Sequence, residues 1–304
     1  EVGHENAILC HVTLIPYLKA SGELKTKPTQ ASVKELQGMG IQPDIIVCRS
    51  EHELDQGIKD KIALFCNVPS SHVLQNLDVE YLYEAPLAME KENLAKVACE
   101  CLNLPCPEPD LTDWKQMVED LRHPTKEVKI ALVGKYTALH DAYISVVEAL
   151  KHGGIPEHVT VDIHWIESED LTEENADSLL GQMQGIIVPG GFGSRGIEGM
   201  IVAAKYAREH KIPYLGLCLG MQIAIIEFAR NVCGLADANS IEIDPNTTYP
   251  VIALLPDKNG IEDIGGTLRL GSYPCVLDEN SQAYKEYGSI EIHERHRHRY
   301  EVNN

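Results

Sequence analysis

Two stretches decide the reading: Ile186-Ile187-Val188-Pro189-Gly190-Gly191-Phe192-Gly193, and Tyr214-Leu-Gly216-Leu-Cys218-Leu219-Gly220-Met221-Gln222. Each runs from a short apolar strand into glycines, and the second passes directly into a helical pattern from Met221 to Arg230. Small residues two positions either side of Cys218 allow a strained strand-to-helix turn that lifts the central side chain clear of a sheet, the logic of a nucleophile elbow. The dipole of the following helix is expected to lower the thiol pKa. The Leu219 N–H then points where an oxyanion would form, and Pro189–Gly193 is placed to give a second donor because glycine lets a backbone amide approach closely. The bland alternatives are a small buried core cysteine and a plain tight turn.

Outward from these turns, strands and helices alternate. Val128–Val133 reads as a strand ending at Gly134. Asp141 is expected to cap a helix with Ile144, Val147 and Leu150 on one face, stopped by Gly153-Gly154. Val159–Ile166 is a strand and Gly199–His210 a helix, and the residues after about 240 look β-rich. This pattern predicts a doubly wound α/β domain on a mostly parallel central sheet. Upstream, Ile8–Leu18 suggests a buried strand, with a helix left open by periodicity alone, Ser32–Met39 a helix, Ile45–Cys48 a strand, Asp60–Cys66 a helix and Val73-Leu74 a short strand. Leu87–Leu104 reads as one amphipathic helix. That is part of a second α/β domain rather than a whole one. Three prolines in Leu104-Pro-Cys-Pro-Glu-Pro-Asp110 break the pattern, and Thr112 is a candidate N-cap for a linker helix ending at His123-Pro124-Thr125. The divisions expected are residues 1–106, a linker 107–126, and 127–304.

The 304 residues carry a formal net charge of −20, which repels polyanions and argues against a nucleic-acid partner. No run of about 18 apolar residues suggests a membrane span. Glu1–Asn6 has no signal-peptide pattern, and nine cysteines without one read as reduced thiols in the cytoplasm. Cys99, Cys101 and Cys106 cluster without zinc-site spacing and read as apolar thiols at a helix end. A phosphorylated small-molecule substrate would need a local basic cluster; Lys25, Lys27 and Lys61 offer one, with Pro28 stiffening what reads as a loop. A solvated basic surface is the alternative.

The two glycine stretches together resemble the class I (triad) glutamine amidotransferases. That likeness implies that Cys218 attacks the carboxamide of glutamine, forms a glutamyl thioester and releases ammonia. The family's base, a histidine in a His-Pro-Glu segment, has no match: His123-Pro124 is followed by Thr125 and lies upstream. Glu294-Arg-His-Arg-His-Arg-Tyr-Glu-Val-Asn-Asn304, Lys25-Thr26-Lys27-Pro28-Thr29-Gln30, Ile45–Ser50 and Lys61-Ile-Ala-Leu-Phe-Cys-Asn67 are similar to signatures of the CTP synthase family. The resemblance spans essentially the whole chain.

It implies part of a P-loop-like amidoligase domain followed by the glutaminase, acting together in the ATP-dependent amination of UTP. It also implies UTP or CTP contacts at Lys25, Thr26, Lys27, Pro28, Thr29, Gln30 and Lys61, and adenine contacts near Leu77, Asp78 and Val79. Glutamine contacts are implied at Gly191, Leu219, Gly220, Met221, Gln222, Glu242 and Arg299. Arg195 falls near where GTP activates the family, and His296 and His298 are expected to be structural. Mg²⁺ and ATP are the implied cofactors, GTP an activator, and homotetramers or filaments the implied assembly. A start other than Met leads one to expect residues before Glu1, including the family's phosphate loop and metal carboxylates, and the base is expected after Asn304. Two rival readings are a stand-alone glutaminase or γ-glutamyl hydrolase of the same fold, and a catalytically dead scaffold.

Overall fold

Ile45, Ile46, Val47 and Cys48 are all buried, so the strand that carries them has apolar contacts on both faces, as a central parallel strand must. In the computed structural model, which describes residues 3, 6–254 and 269–303, this strand organises the first of two compact units, Glu1–His123 and Pro124–Asn304.

The first unit runs β1 (Cys10–Leu14), the hairpin β2 (Tyr17–Leu18) and β3 (Glu23–Leu24), α1 (Lys27–Gly38), β4 (Ile45–Ser50), α2 (Gln56–Cys66), β5 (Val73–Leu77), α3 (Ala85–Lys91), α4 (Leu94–Cys101) and α5 (Thr112–Arg122). β4 is flanked by β1 and β5 in a parallel sheet. Ile46 and Cys48 meet Val33, Ile62 and Cys66 from α1 and α2, while Ile45 and Val47 meet Val97 of α4 on the opposite face. α2 begins where the Asp55 carboxylate accepts the Ile58 N–H at 2.8 Å and ends at Asn67 in the left-handed region.

Three expectations are corrected by this unit. The strand read across Ile8–Leu18 is shorter, Cys10–Leu14, and among the described residues it pairs on one side only, with Val12 and Leu14 59% and 63% exposed. The single helix read over Leu87–Leu104 is two. Asn93 adopts φ 61°, a conformation asparagine tolerates, and the Glu92 carboxylate there accepts Lys59 Nζ at 2.7 Å and the Gln75 N–H at 3.1 Å. Thr112 does not cap α5; the Asp110 carboxylate accepts both its N–H and its hydroxyl, at 3.0 and 2.7 Å. α5 packs within this unit, with Trp114 Nε1 donating to the Tyr83 carbonyl at 2.8 Å.

The second unit continues with β6 (Lys126–Gly134), α6 (Ile144–Gly154), β7 (Val159–Glu167), α7 (Ala176–Leu180), β8 (Gly185–Val188), α8 (Ile197–His210), β9 (Tyr214–Gly216) and α9 (Leu219–Asn231). There follow β10 (Asn239–Ser240), β11 (Pro250–Leu254), β12 (Arg269–Val276), α10 (Gln282–Tyr287), β13 (Glu291–His298) and β14 (Tyr300–Val302). Residues 255–268, inside the stretch read as β-rich, lie outside the described residues, as do residues 1, 2, 4 and 5 of the start.

The sheet order β7-β6-β8-β9 is parallel throughout, and alternate residues of its strands feed two layers. Ala131, Val133, Ile186 and Val188 pack with Met200, Ala203 and Ala207 of α8 and with Ile223 and Ile226 of α9. Leu132 and Ile187 face the other way, towards Val146 and Leu150 of α6. This is the doubly wound α/β sheet the sequence predicts.

α6 departs from its reading. A 3₁₀ turn over His140–Tyr143 precedes it, so Tyr143 rather than Asp141 is the N-cap residue. Val146 and Leu150 form its inner face while Ile144 is 57% exposed. The helix continues through both glycines, and the second is needed for packing: a Cβ on Gly154 would come 2.6 Å from the Val159 carbonyl oxygen.

Candidate active site

β6, β8 and β9 end on the same edge of their parallel sheet, so the segments that follow them gather at its carboxyl edge, where open α/β sheets place their ligands. The Leu217 N–H donates to the Val188 carbonyl at 2.9 Å, which ties the end of β9 to the end of β8. Cys218 then takes φ 51°, ψ −101° as the N-cap of α9. Positive φ at a residue with a Cβ costs about 1–3 kcal/mol, and such strain gathers at functional sites.

The flanking glycines make the turn possible. A Cβ on Gly220 would lie 2.0 Å from the Val188 carbonyl oxygen, and one on Gly216 would lie 2.3 Å from the Gly220 carbonyl carbon. Pro189–Gly193 lies against this elbow: a Cβ on Gly190 would come 3.5 Å from Cys218 Cβ, and one on Gly191 would come 3.3 Å from Leu219 Cδ2.

Cys218 is exposed, not a buried core cysteine. Its thiol is nevertheless pushed up from the ordinary value, first by desolvation of the sulfur, against which the Leu219 N–H pulls down by donating to it; the Glu242 carboxylate adds to the rise. Solvent at an exposed residue tempers the first of these. The expected depression at the helix start is outweighed by desolvation, to which the Glu242 carboxylate adds, so the thiol needs a base to become thiolate.

Around the elbow, Leu219, Gly220 and Gln222 are buried and Met221 is 41% exposed. Gln222 Nε2 donates to the Tyr300 carbonyl at 3.3 Å, and the Tyr214 hydroxyl to the Gly220 carbonyl at 2.8 Å. Glu242 Oε1 accepts the Gly193 N–H at 3.4 Å, which brings this carboxylate to the glycine loop. Arg299, in the bend between β13 and β14, has a buried Nε without a hydrogen-bond partner, and its guanidinium lies 5.5 Å from the Tyr300 ring centre. Arg195 pairs with Glu169 at 2.7 Å and Glu167 at 3.5 Å and bonds the Lys135 carbonyl. His296 and His298 bond each other at 2.9 Å, and His298 Nδ1 meets the Tyr300 carbonyl at 3.0 Å, so this pair is tied to its own strands.

In the first unit the segment read as a loop is the start of α1: Lys27, Pro28, Thr29 and Gln30 form its first turn, a place where proline is favoured because its missing N–H would have no partner anyway. Thr29 is fully buried with its hydroxyl 2.9 Å from that of Thr13, and buried Thr26 receives Gln30 Nε2 at 3.1 Å. Lys25 pairs with Glu23, whose carboxyl it holds below the usual range, with Lys61 adding to the effect. Lys27 and Pro28 are exposed. At the end of β5, Leu77, Asp78 and Val79 line a cavity of about 760 Å³, and Asp78 accepts Arg49 at 2.9 Å.

A family model described as the CTP synthase N-terminus matches residues 1–104, and one described as glutamine amidotransferase class-I matches residues 138–304. The CTP synthase of Clostridium perfringens (strain SM101 / Type A) is 58% identical over 304 residues, which is 100% of this chain and 57% of that protein. The chain belongs to the CTP synthase family. The CTP synthases of Clostridium beijerinckii and Bacillus velezensis are 59% and 55% identical over the same 304 residues, again 57% of each protein. The chain therefore spans a little over half the length of these relatives. Among solved structures, the Trypanosoma brucei CTPS glutaminase domain with bound acivicin superposes with a TM-score of 0.54 at 42% identity, covering 58% of this chain and 68% of that one.

The structure thus gathers Cys218, Leu219, Gly191 and Glu242 at one sheet edge, ties Gln222 to Tyr300 beside Arg299, and pairs Lys25 with Glu23. One neighbour escapes the sequence reading. Lys135 is 2% exposed, and its Nζ donates to the carbonyls of Phe192 and Gly193 at 3.1 and 2.6 Å. In sequence, Gly134-Lys135 is no phosphate loop, since the upstream glycine is lacking and Tyr136 follows where Ser or Thr would stand. The usable signal is a charged residue directly after a buried strand, at the edge where Pro189–Gly193 must also lie.

Proposed function

We propose that this chain carries the glutaminase and part of the synthetase of a CTP synthase, which aminates UTP to CTP with ATP and with ammonia drawn from glutamine. The strained Cys218 elbow, wedged between glycines that tolerate no Cβ, is the observation that carries the reading. The named relatives favour it over a stand-alone glutaminase or hydrolase.

Cys218 Sγ attacks the glutamine carboxamide, and the N–H groups of Leu219 and Gly191 receive the oxyanion. The Leu219 N–H that donates to the sulfur at rest is released for this as the sulfur acquires the acyl group. Ammonia leaves, and water hydrolyses the glutamyl thioester. Glu242 pairs with the substrate α-ammonium, Gln222 and Met221 line its path, and Arg299 turns its unpaired Nε to the substrate α-carboxylate. The thiol proton goes to a histidine of a His-Pro-Glu segment, a triplet that does not occur in these 304 residues.

In the first unit, Lys25 and Lys27 at the start of α1, with Lys61 of α2, bind the phosphates of UTP, or of CTP as inhibitor, where helix dipole and ammonium groups reinforce one another. Thr26, Thr29 and Gln30 shape that turn from inside. The cavity beside Leu77, Asp78 and Val79 is lined by six carboxylates against three cations, so it suits the adenine and ribose of ATP and not its phosphates. Among the described residues no group of three or more His, Cys, Asp or Glu is placed to hold a metal ion. None of these steps runs through the Mg²⁺ of the family. GTP activation near Arg195, assembly as homotetramers or filaments, and a cytoplasmic location complete the proposal. No helix among the described residues is long and apolar enough to cross a membrane.

The test is CTP formation by the complete protein from UTP, ATP and Mg²⁺, with glutamine or ammonium as donor. Cys218→Ala should lose the glutamine-dependent reaction and keep the ammonium-dependent one. Loss of both would contradict separate glutaminase and synthetase sites, and absence of both in the unaltered protein would favour a dead scaffold.

A further inference from the structure

Lys135 follows β6, and apart from its two carbonyl contacts it is sealed from water. A buried ammonium is costly unless it is fully hydrogen-bonded, and desolvation pulls the pKa of this one down, against the Glu242 carboxylate, which raises it. What the ammonium holds is specific: the carbonyls of the two peptide units that come directly after the Gly191–Phe192 bond.

In a trans peptide the C=O and the following N–H point in opposite directions. Drawing Phe192 O onto Lys135 therefore turns the Gly193 N–H away from it, and that N–H meets Glu242 Oε1 at 3.4 Å. The 192–193 peptide is bracketed, a cation at its oxygen and an anion at its hydrogen. Arg195, two residues further on, reaches back to the carbonyl of Lys135 itself and closes the ring of contacts. Glycines at 190, 191 and 193 leave this loop little stiffness of its own, and Gly193 already sits at φ 76°. Its shape is set by what grips it.

We propose that Lys135 is a positioning residue for glutamine hydrolysis: by holding the 192 and 193 carbonyls it keeps the Gly191 amide aimed at the oxyanion above Cys218. The proposal rests on the reading of Cys218 as nucleophile. When the substrate α-ammonium takes Glu242, the long Gly193 N–H bond is given up, and Lys135 alone keeps the loop from turning.

The experiment compares Lys135→Met, Lys135→Arg and Cys218→Ser in the complete protein. Glutamate release from glutamine is measured beside the rate at which iodoacetamide alkylates Cys218, a displacement that forms no oxyanion. Lys135→Met should lower kcat by about 10²-fold, the usual effect of losing one oxyanion donor, and leave KM within about twofold. Its alkylation rate and its ammonium-dependent CTP formation should match those of the unaltered protein. If Lys135→Met does not fold, the same split is read on Lys135→Arg, whose longer fork displaces the two carbonyls: kcat falls and alkylation does not. An unchanged kcat in the folded variant overturns the proposal, as does a kcat that falls in step with alkylation and thermal stability. If Cys218→Ser still releases glutamate at the original rate, the nucleophile reading itself is at fault, whatever the lysine variants do.

Discussion

The Cys218 elbow and the basic segment at Lys25–Gln30 both present a proposed ligand site at the start of a helix, yet they are specified in different ways. At the elbow the specification lies in the backbone. Gly216 and Gly220 are required because any Cβ would overlap the neighbouring main chain, and Cys218 is held at φ 51° between them. At the basic segment it lies in side chains that divide their work: Thr26 and Thr29 turn inward to hold the helix start, and Lys25, Lys27 and Lys61 are left for solvent or ligand. A backbone-coded site tolerates no change at its glycines; a side-chain-coded one separates stability from binding.

The largest effect expected from this contrast is at the elbow. Gly220→Ala should destabilise the protein by about 3 kcal/mol or more, read as a fall in the denaturant midpoint, since the carbonyl of Val188 cannot yield about 1 Å without disturbing β8. Gly190→Ala, whose Cβ makes ordinary contact at 3.5 Å, should stay within about 1 kcal/mol of the parent. Equal losses in the two variants would break the claim that the elbow is specified by local overlap.

At the basic segment the expected change is smaller and falls on binding. Lys25→Ala and Lys61→Ala should each raise the UTP concentration for half-saturation by roughly tenfold, while the denaturant midpoint stays within about 0.5 kcal/mol, because neither ammonium is buried. Thr29→Val should do the reverse, costing about 1 kcal/mol of stability through the buried hydroxyl contact with Thr13 that it removes. A stability loss in the lysine variants would erase the distinction between the two regions.

The smallest effect concerns charge at the elbow. The Glu242 carboxylate disfavours the thiolate, so Glu242→Gln should lower the Cys218 thiol pKa and speed iodoacetamide alkylation by about twofold at about pH 7–8, below the thiol pKa. A slower reaction would mean that Glu242 stabilises the thiolate, the opposite of the effect its charge should have.

The same contrast explains what was legible in the sequence. The Gly-x-Cys-x-Gly spacing announces a steric arrangement, and the strand, elbow and helix follow from it. The parallel sheet was likewise legible from runs such as Ile186–Val188, buried on both faces. Lys25–Gln30 was legible only through likeness to a family, since three lysines in an acidic chain look alike whether they bind a ligand or water. Helix ends misled for local reasons: an asparagine in the left-handed region split α3 from α4, and Thr112, expected as an N-cap, instead donates to Asp110 while Leu111 holds the N-cap position. β1 is shorter than the apolar run that suggested it, because the hairpin of β2 and β3 takes over at Tyr17. Lys135 was missed because its role depends on two carbonyls 57 and 58 residues away.

The most direct test of the central claim is to trap the intermediate. The complete protein is mixed with glutamine, quenched in acid within the turnover time, digested and analysed by mass spectrometry. The account predicts a glutamyl thioester on the peptide carrying Cys218, absent in Cys218→Ala, which also releases no glutamate. Glutamate release that persists in Cys218→Ala, or a glutamyl adduct on any other residue, would contradict it.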